Sequence, residues 1–134
     1  MDVAQTRRYA ALAGSRWADG LSYWTVRLRD DGTVIGSGGV QLHGGGSHWN
    51  LHYRVATAAQ GYGYATELAR AAVEAAHEKD PALPVIAWID EVNDPSRRVA
   101  QRTGLVSQGL RTQPADGRPR LAYADRDLPE GLFR

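Results

Sequence analysis

The sequence predicts an α/β domain built on a mixed sheet. An antiparallel meander is followed by a strand–helix–strand crossover, with helices on both faces. Three observations predict it. Residues 22 to 56 alternate apolar and polar side chains in three runs separated by glycine-rich turns. From Gly63 the apolar period changes to that of a helix. Pro84 to Ile89 is then a short unbroken apolar run, the mark of a strand covered on both faces.

Taken in order, Tyr9, Leu12, Ala13 and Trp17 fall at helical spacing and predict a first amphipathic helix over residues 3–18. Ser22 to Arg29 alternates and is rich in aromatic and β-branched residues, which predicts a strand. Asp30-Asp31-Gly32 is a turn signal, and Val34 to Leu42 returns as the second strand. After a turn at His43 to Gly46, His48 to Ala56 places Trp49, Leu51, Tyr53 and Val55 on one face. His48, Asn50, His52 and Arg54 fall on the other. Ala65, Leu68, Ala69, Ala72, Val73 and Ala76 then define a long helix that stops near Lys79, before Asp80-Pro81. Beyond the buried strand, Asn93-Asp94-Pro95 reads as a cap followed by Pro at the first helical position, and Gly104 as the left-handed end of that helix. Val106 to Thr112 and Leu121 to Leu128 supply two last strands. A strand–helix–strand unit joins parallel strands by a right-handed crossover.

Composition narrows the function. A chain of 134 residues suits one domain with a real core. A net charge of +1, with basic residues scattered among acids, gives no reason to expect a nucleic-acid partner. The absence of cysteine removes disulfide frameworks, thiolate zinc sites and cysteine nucleophiles. His43 and His48 lack metal-ligand spacing, so no metal site is expected. No apolar run approaches a membrane span and the N-terminus lacks a signal-peptide core, which leads to the expectation of a cytoplasmic protein. Trp24, Trp49 and Trp88 lie within strands and are expected to line core or cleft.

The segment that carries chemistry is Gln60-Gly61-Tyr62-Gly63-Tyr64-Ala65, between a strand and an amphipathic helix. A helix start offers unpaired N–H groups and a partial positive charge, and glycine lets a diphosphate come close. A glycine pair there is equally an ordinary structural turn, and the residues alone leave both readings open. A nucleotide-hydrolase loop is excluded, because no G-x-x-x-x-G-K-[ST] occurs. A dinucleotide fingerprint fits poorly: its third glycine position is Thr66, and three antiparallel strands come first.

Gln60 to Ala65 matches the Q/R-x-x-G-x-G/A signature of the GNAT superfamily at that family's strand–helix junction. The stretch RVATAAQGYGYATELARAA resembles the Rim-type branch, which includes ribosomal-protein N-terminal acetyltransferases. Asn93, Ser96, Val99 and then Gly104-Leu105 resemble the same branch's N-x-x-S…G-F pattern, so the likeness covers roughly residues 22–112. It implies a single GNAT-like N-acetyltransferase domain over residues 1–134, which uses acetyl-CoA and an amine acceptor. It also implies a binding site in which Val55 and Ala56 offer backbone groups to the pantetheine arm. The amides from Gly61 through Tyr62, Gly63 and Tyr64 to Ala65 would receive the pyrophosphate, after Gln60 and with the hydroxyl of Thr66. Asn93 and Ser96 would lie at the thiol end or along the pantetheine. Arg97 and Arg98 are either phosphate partners or a solvated helix face.

The family's glutamate base falls at Asn50 here and its tyrosine acid at Ala100, and neither residue can do that work. Ser96 is then the expected hydrogen-bond donor to the leaving sulfur. His52, Glu91 and Glu67 are the remaining base candidates, beside a water-relayed route with no dedicated base. Glu67, in the first turn of the long helix, also suits a plain dipole-stabilising role. Only about 21 residues precede the meander, an abbreviated layer compared with relatives. The acceptor site is accordingly open, completed by the second subunit of a homodimer, or partly missing. The last case would make the chain an acyl-CoA-binding regulatory module without transferase activity.

Overall fold

The computed structural model of the chain describes residues 23–28 and 31–134; the helix expected over 3–18 lies outside them. Strands β1 (Tyr23–Arg27), β2 (Val34–His43) and β3 (His48–Val55) form the antiparallel meander. A short 3-10 turn (Thr57–Ala59) leads to helix α1 (Tyr64–Lys79). Strand β4 (Val85–Ile89), helix α2 (Asp94–Thr103) and strands β5 (Val106–Thr112) and β6 (Pro119–Ala124) complete the order. The sheet runs β1-β2-β3-β4-β6-β5, and among the described strands the one parallel pair is β3 with β4. The fold is therefore the α/β mixed sheet that the periodicities predict. Among the described residues no helix is long and apolar enough to cross a membrane.

Both described helices belong to one side of the sheet. Leu68, Ala69, Ala71, Ala72 and Ala76 of α1 pack with Trp24, Val26, Val40, Trp49, Leu51, Val85 and Ala87 in the main core, which Ala100 of α2 joins. Burial of a side chain such as Leu68 contributes about 1.5–3 kcal/mol. The run of alanines lets α1 sit close, and β2 matches it with small residues. A Cβ on Gly38 would lie 2.5 Å from the His52 carbonyl and 2.6 Å from Leu68 Cδ2. Close packing thus accounts for glycine in a strand that propensity alone would disfavour.

A second cluster of Ile86, Ala122, Ala124 and Leu128 gathers Trp88, Leu132 and Phe133 around it. It also explains why the polar side of β3 is not solvated as its alternation suggests. His48 is fully buried, 5.1 Å from the Phe133 ring and 6.0 Å from that of Trp88. Burial, helped by His43, pushes its pKa down to about 4.

Local signals set most boundaries. The Asn93 side chain caps α2 by accepting from the Ser96 amide, 3.2 Å away, and Gly104 closes that helix at φ 96°. Pro95 is the second residue of α2, one place later than expected, because Asp94 already has helical backbone. The last strand begins and ends earlier than expected. Its residue after Ala124, Asp125, accepts from the Val85 amide at 3.0 Å and from Arg126, which turns the chain away.

Candidate active site

The sheet opens at β3 and β4. They pair only at Trp49 with Val85 and Asn50 with Ile86, although β3 runs on to Val55 and β4 to Ile89. Where β3 leaves its neighbour, a cavity of about 670 Å³ lies between the end of β3, the start of α1 and one face of α2. Its wall contains Val55, Ala56, Gln60, Gly61, Gly63, Tyr64, Ala65, Thr66, Asn93 and Ser96. These are the sequence-derived binding residues with the exception of Tyr62, which stands 70% exposed and stacks on Tyr64 at 5.6 Å between ring centres.

Residues 60–66 form the head of α1. Gly61 and Gly63 both adopt left-handed backbone, at φ 90° and 79°, which explains glycine at each. Gly63 is the N-cap and has no side chain to satisfy the first turn, whose first bond runs from the Glu67 amide to the Gly63 carbonyl. Among the described residues no acceptor within the protein engages the amides of Gly61 to Thr66. A Cβ at Gly61 or Gly63 would meet nothing within 4 Å, so the backbone lies open. Left-handed glycines at a helix start turn successive N–H groups toward one concavity, a shape suited to an anion.

Charge agrees with that shape. Arg54, Arg98 and Arg102 line the cavity, and among the described residues no carboxylate does. The helix terminus adds its own partial positive charge. The two neighbouring arginines of α2 therefore separate. Arg98 faces the cavity, whereas Arg97 donates to the Tyr123 hydroxyl at 3.1 Å and to the Glu91 carbonyl at 3.0 Å, a structural tie.

The strand end differs in detail from expectation. The Ala56 amide is committed to the Ile35 carbonyl within the sheet, so Ala56 contributes wall but no free N–H. Val55 sits opposite Gly36, a register that directs its own backbone groups away from β2 and toward the opening. The Val55 carbonyl is held by the Gln60 side chain at 3.1 Å, which gives Gln60 the role of fastening the loop to the strand.

At the far wall Ser96 meets Tyr53. The Tyr53 hydroxyl donates to the Ser96 carbonyl at 2.8 Å, and the Ser96 hydroxyl donates to Tyr53 Oη at 3.1 Å. Burial raises the Tyr53 pKa against the lowering effect of the Ser96 hydrogen bond. His52 and Glu91 do not line this cavity. His52 projects from the opposite face of β3, 5.2 Å from the Tyr23 ring, and burial together with Arg54 holds its pKa below the usual value, so it is neutral at pH 7. Glu91 is exposed just beyond β4. Asn50 donates to the Tyr23 hydroxyl at 2.7 Å, and Ala100 is fully buried. One oxygen of Glu67 is buried without a partner among the described residues.

Tyr53, Arg54, Thr57 and Arg102 also line the cavity and carry no motif in the sequence. Tyr53 shares the core face of β3 with Trp49 and Leu51, so alternation reads it as core. Its position as the last aromatic before the glycine segment was the available signal.

A mixed sheet opened between its two parallel strands, with a cationic helix head facing the opening, is the architecture of an acyl-CoA-dependent acyltransferase. Residues 1–106 match the family model described as Acetyltransferase (GNAT) domain, and the chain belongs to that family. It is an N-acetyltransferase, and the family uses acetyl-CoA. Solved structures agree on the fold. A GnaT-family acetyltransferase from Bordetella pertussis is 22% identical with a TM-score of 0.69, over 93% of this chain and 92% of that one. A ribosomal-protein-serine acetyltransferase from Vibrio cholerae is 18% identical with a TM-score of 0.66, over 89% and 68%. An aminoglycoside acetyltransferase solved with coenzyme A is 21% identical with a TM-score of 0.64, over 81% and 68%. No curated protein matches the chain.

Proposed function

We propose that this chain transfers the acetyl group of acetyl-CoA to a primary amine by direct attack in a ternary complex, and that the preferred acceptor is the α-amino group of a polypeptide. The observation that carries the reading is the open set of amides at residues 61–66 in a cavity whose charged lining, among the described residues, is arginine alone. These residues fit a diphosphate by charge and by hydrogen-bonding capacity. The Asn93, Ser96 and Gly104-Leu105 pattern, together with the likeness to a ribosomal-protein-serine acetyltransferase, favours the Rim-type branch and hence an N-terminal acceptor. Small-molecule amines such as aminoglycosides are the competing acceptor class, favoured by the likeness to the aminoglycoside acetyltransferase.

In this reading the amides of Gly61 to Ala65 and the Thr66 hydroxyl hold the diphosphate, and the backbone N–H of Val55 receives the pantetheine arm. Asn93 keeps Ser96 in place. The reaction forms a C–N bond and breaks a C–S bond; one proton leaves the amine and one reaches the sulfur. Ser96 offers its hydroxyl to the sulfur. On the other side of β3 the neutral His52 is able to take the amine's proton, with Glu91 as the alternative base.

The test is thiol release from acetyl-CoA over a panel of free-N-terminus peptides, aminoglycosides, amino acids and simple amines, with calorimetric CoA binding alongside. Release with peptides and a loss of binding in Gly63→Trp support the reading. Tight binding with no release for any amine would return the non-catalytic module instead.

A further inference from the structure

Ser96 is held on three sides. Its amide donates to Asn93 Oδ1 at 3.2 Å, and its carbonyl accepts the Tyr53 hydroxyl at 2.8 Å. Because a carbonyl can only accept, the Tyr53 proton lies on it. Tyr53 Oη is then left with lone pairs, and the Ser96 hydroxyl 3.1 Å away is their donor. The Ser96 proton therefore points at β3 while its own lone pairs remain for the cavity that both residues line.

The location adds to this. Backbone pairing between β3 and β4 ends at Asn50 and Ile86, so beyond that point no ladder fixes the distance between β3 and the helix that follows β4. The Tyr53 side chain crosses that opening from β3 to the first turn of α2, and its ring is anchored in the main core.

We propose that Tyr53 is the positioning residue of Ser96: it sets the separation of β3 and α2, and so the place of the Ser96 hydroxyl at the sulfur end of the cavity, and it holds the hydroxyl proton until a stronger acceptor develops there. The proposal rests on the acetyltransferase reading above. Its chemical consequence is selectivity for the departing thiolate. While the thioester is intact, its sulfur is a poor acceptor and the Ser96 proton stays on Tyr53. As the C–S bond breaks, the sulfur becomes anionic and the hydroxyl turns to it, without transfer of the Tyr53 proton. An interaction that appears only as charge develops lowers the barrier instead of tightening substrate binding.

Tyr53→Phe keeps the ring and removes both hydrogen bonds. It is expected to lower kcat about tenfold, while KM for acetyl-CoA and CoA affinity stay within about twofold. Ser96→Ala should lose a similar factor. Tyr53→Phe combined with Ser96→Ala should be no worse than the poorer single variant, because the two residues act as one unit. A Tyr53→Phe enzyme with wild-type kcat, or losses that multiply in the double variant, overturns the proposal. Where Tyr53→Phe fails to fold, 3-fluorotyrosine at position 53 replaces it. Its hydroxyl is present but more acidic, so kcat must change with CoA affinity intact, and an unchanged kcat overturns the proposal. A wild-type chain that binds no CoA defeats the underlying reading as well; an active wild type with an equally active Tyr53→Phe defeats this proposal alone.

Discussion

Gly63→Ala separates the fold from the site. Gly63 has φ 79°, and an alanine there costs about 1–2 kcal/mol for left-handed backbone. The stiffer unfolded chain returns about 0.4–1 kcal/mol, which leaves a net loss of about 1 kcal/mol. For a chain of this size that lowers Tm by about 3–6 °C. Gly45→Ala is the matched control: φ is 67°, a Cβ meets nothing within 4 Å, and it sits in the turn before β3, roughly 25 Å along that strand from the cavity. Both variants should lose similar stability. Of the two, only Gly63 lines the cavity beside the open amides. Displacing a diphosphate enough to lose one charge-assisted hydrogen bond costs about 1.5–3 kcal/mol, a tenfold to hundredfold rise in the Kd for CoA. Calorimetry should find that rise in Gly63→Ala and less than about a twofold change in Gly45→Ala. Equal affinities in the two variants, at equal stability, would place the diphosphate somewhere other than at Gly63.

Arg98→Ala should weaken CoA binding about threefold to tenfold and flatten its salt dependence, whereas Arg97→Ala should leave affinity unchanged and lower stability, because only Arg98 faces the cavity. Asn93→Ala removes the cap on α2 and should cost about 1 kcal/mol in urea unfolding, with a fall in kcat as Ser96 loses its anchor. Gly38→Ala drives a Cβ into the His52 carbonyl and Leu68, and should cost about 2–3 kcal/mol by the same measurement. His48 titrates near pH 4 when folded and near 6.5 when unfolded, so between those values the unfolded chain binds the extra proton and stability falls as pH drops. About 3 kcal/mol should be lost from pH 6.5 to pH 4 relative to His48→Gln; parallel stability curves for the two proteins would contradict this.

Where local signals dominate, the sequence is a good guide. The end of α1 before Asp80-Pro81, the Asn93 cap and the Gly104 stop are short-range chemistry and lie where expected. The glycine segment was readable for the same reason, since left-handed backbone at a helix start needs residues that tolerate it. What escaped depends on distant partners. Nothing local announces that β6 inserts between β4 and β5, or that Asp125 ends β6 by binding Val85. Alternation assigns Tyr53 to a face but cannot tell that its hydroxyl finds Ser96, 43 residues on. Arg97 and Arg98 look alike until the rotation of α2 against the sheet sends one to Tyr123 and the other to the cavity. The buried polar side of β3 likewise reflects Phe133, brought over it by the chain end.

Binding of an acyl carrier's diphosphate by the backbone of residues 61–66 leaves a signature at those amides. Amide-resolved NMR during a CoA titration reads that signature. The N–H signals of Gly61 to Thr66 should shift together and saturate at one equivalent, while those of the β2–β3 turn stay still. Saturable CoA binding that leaves these six amides unmoved, or no binding at all, would contradict diphosphate binding there.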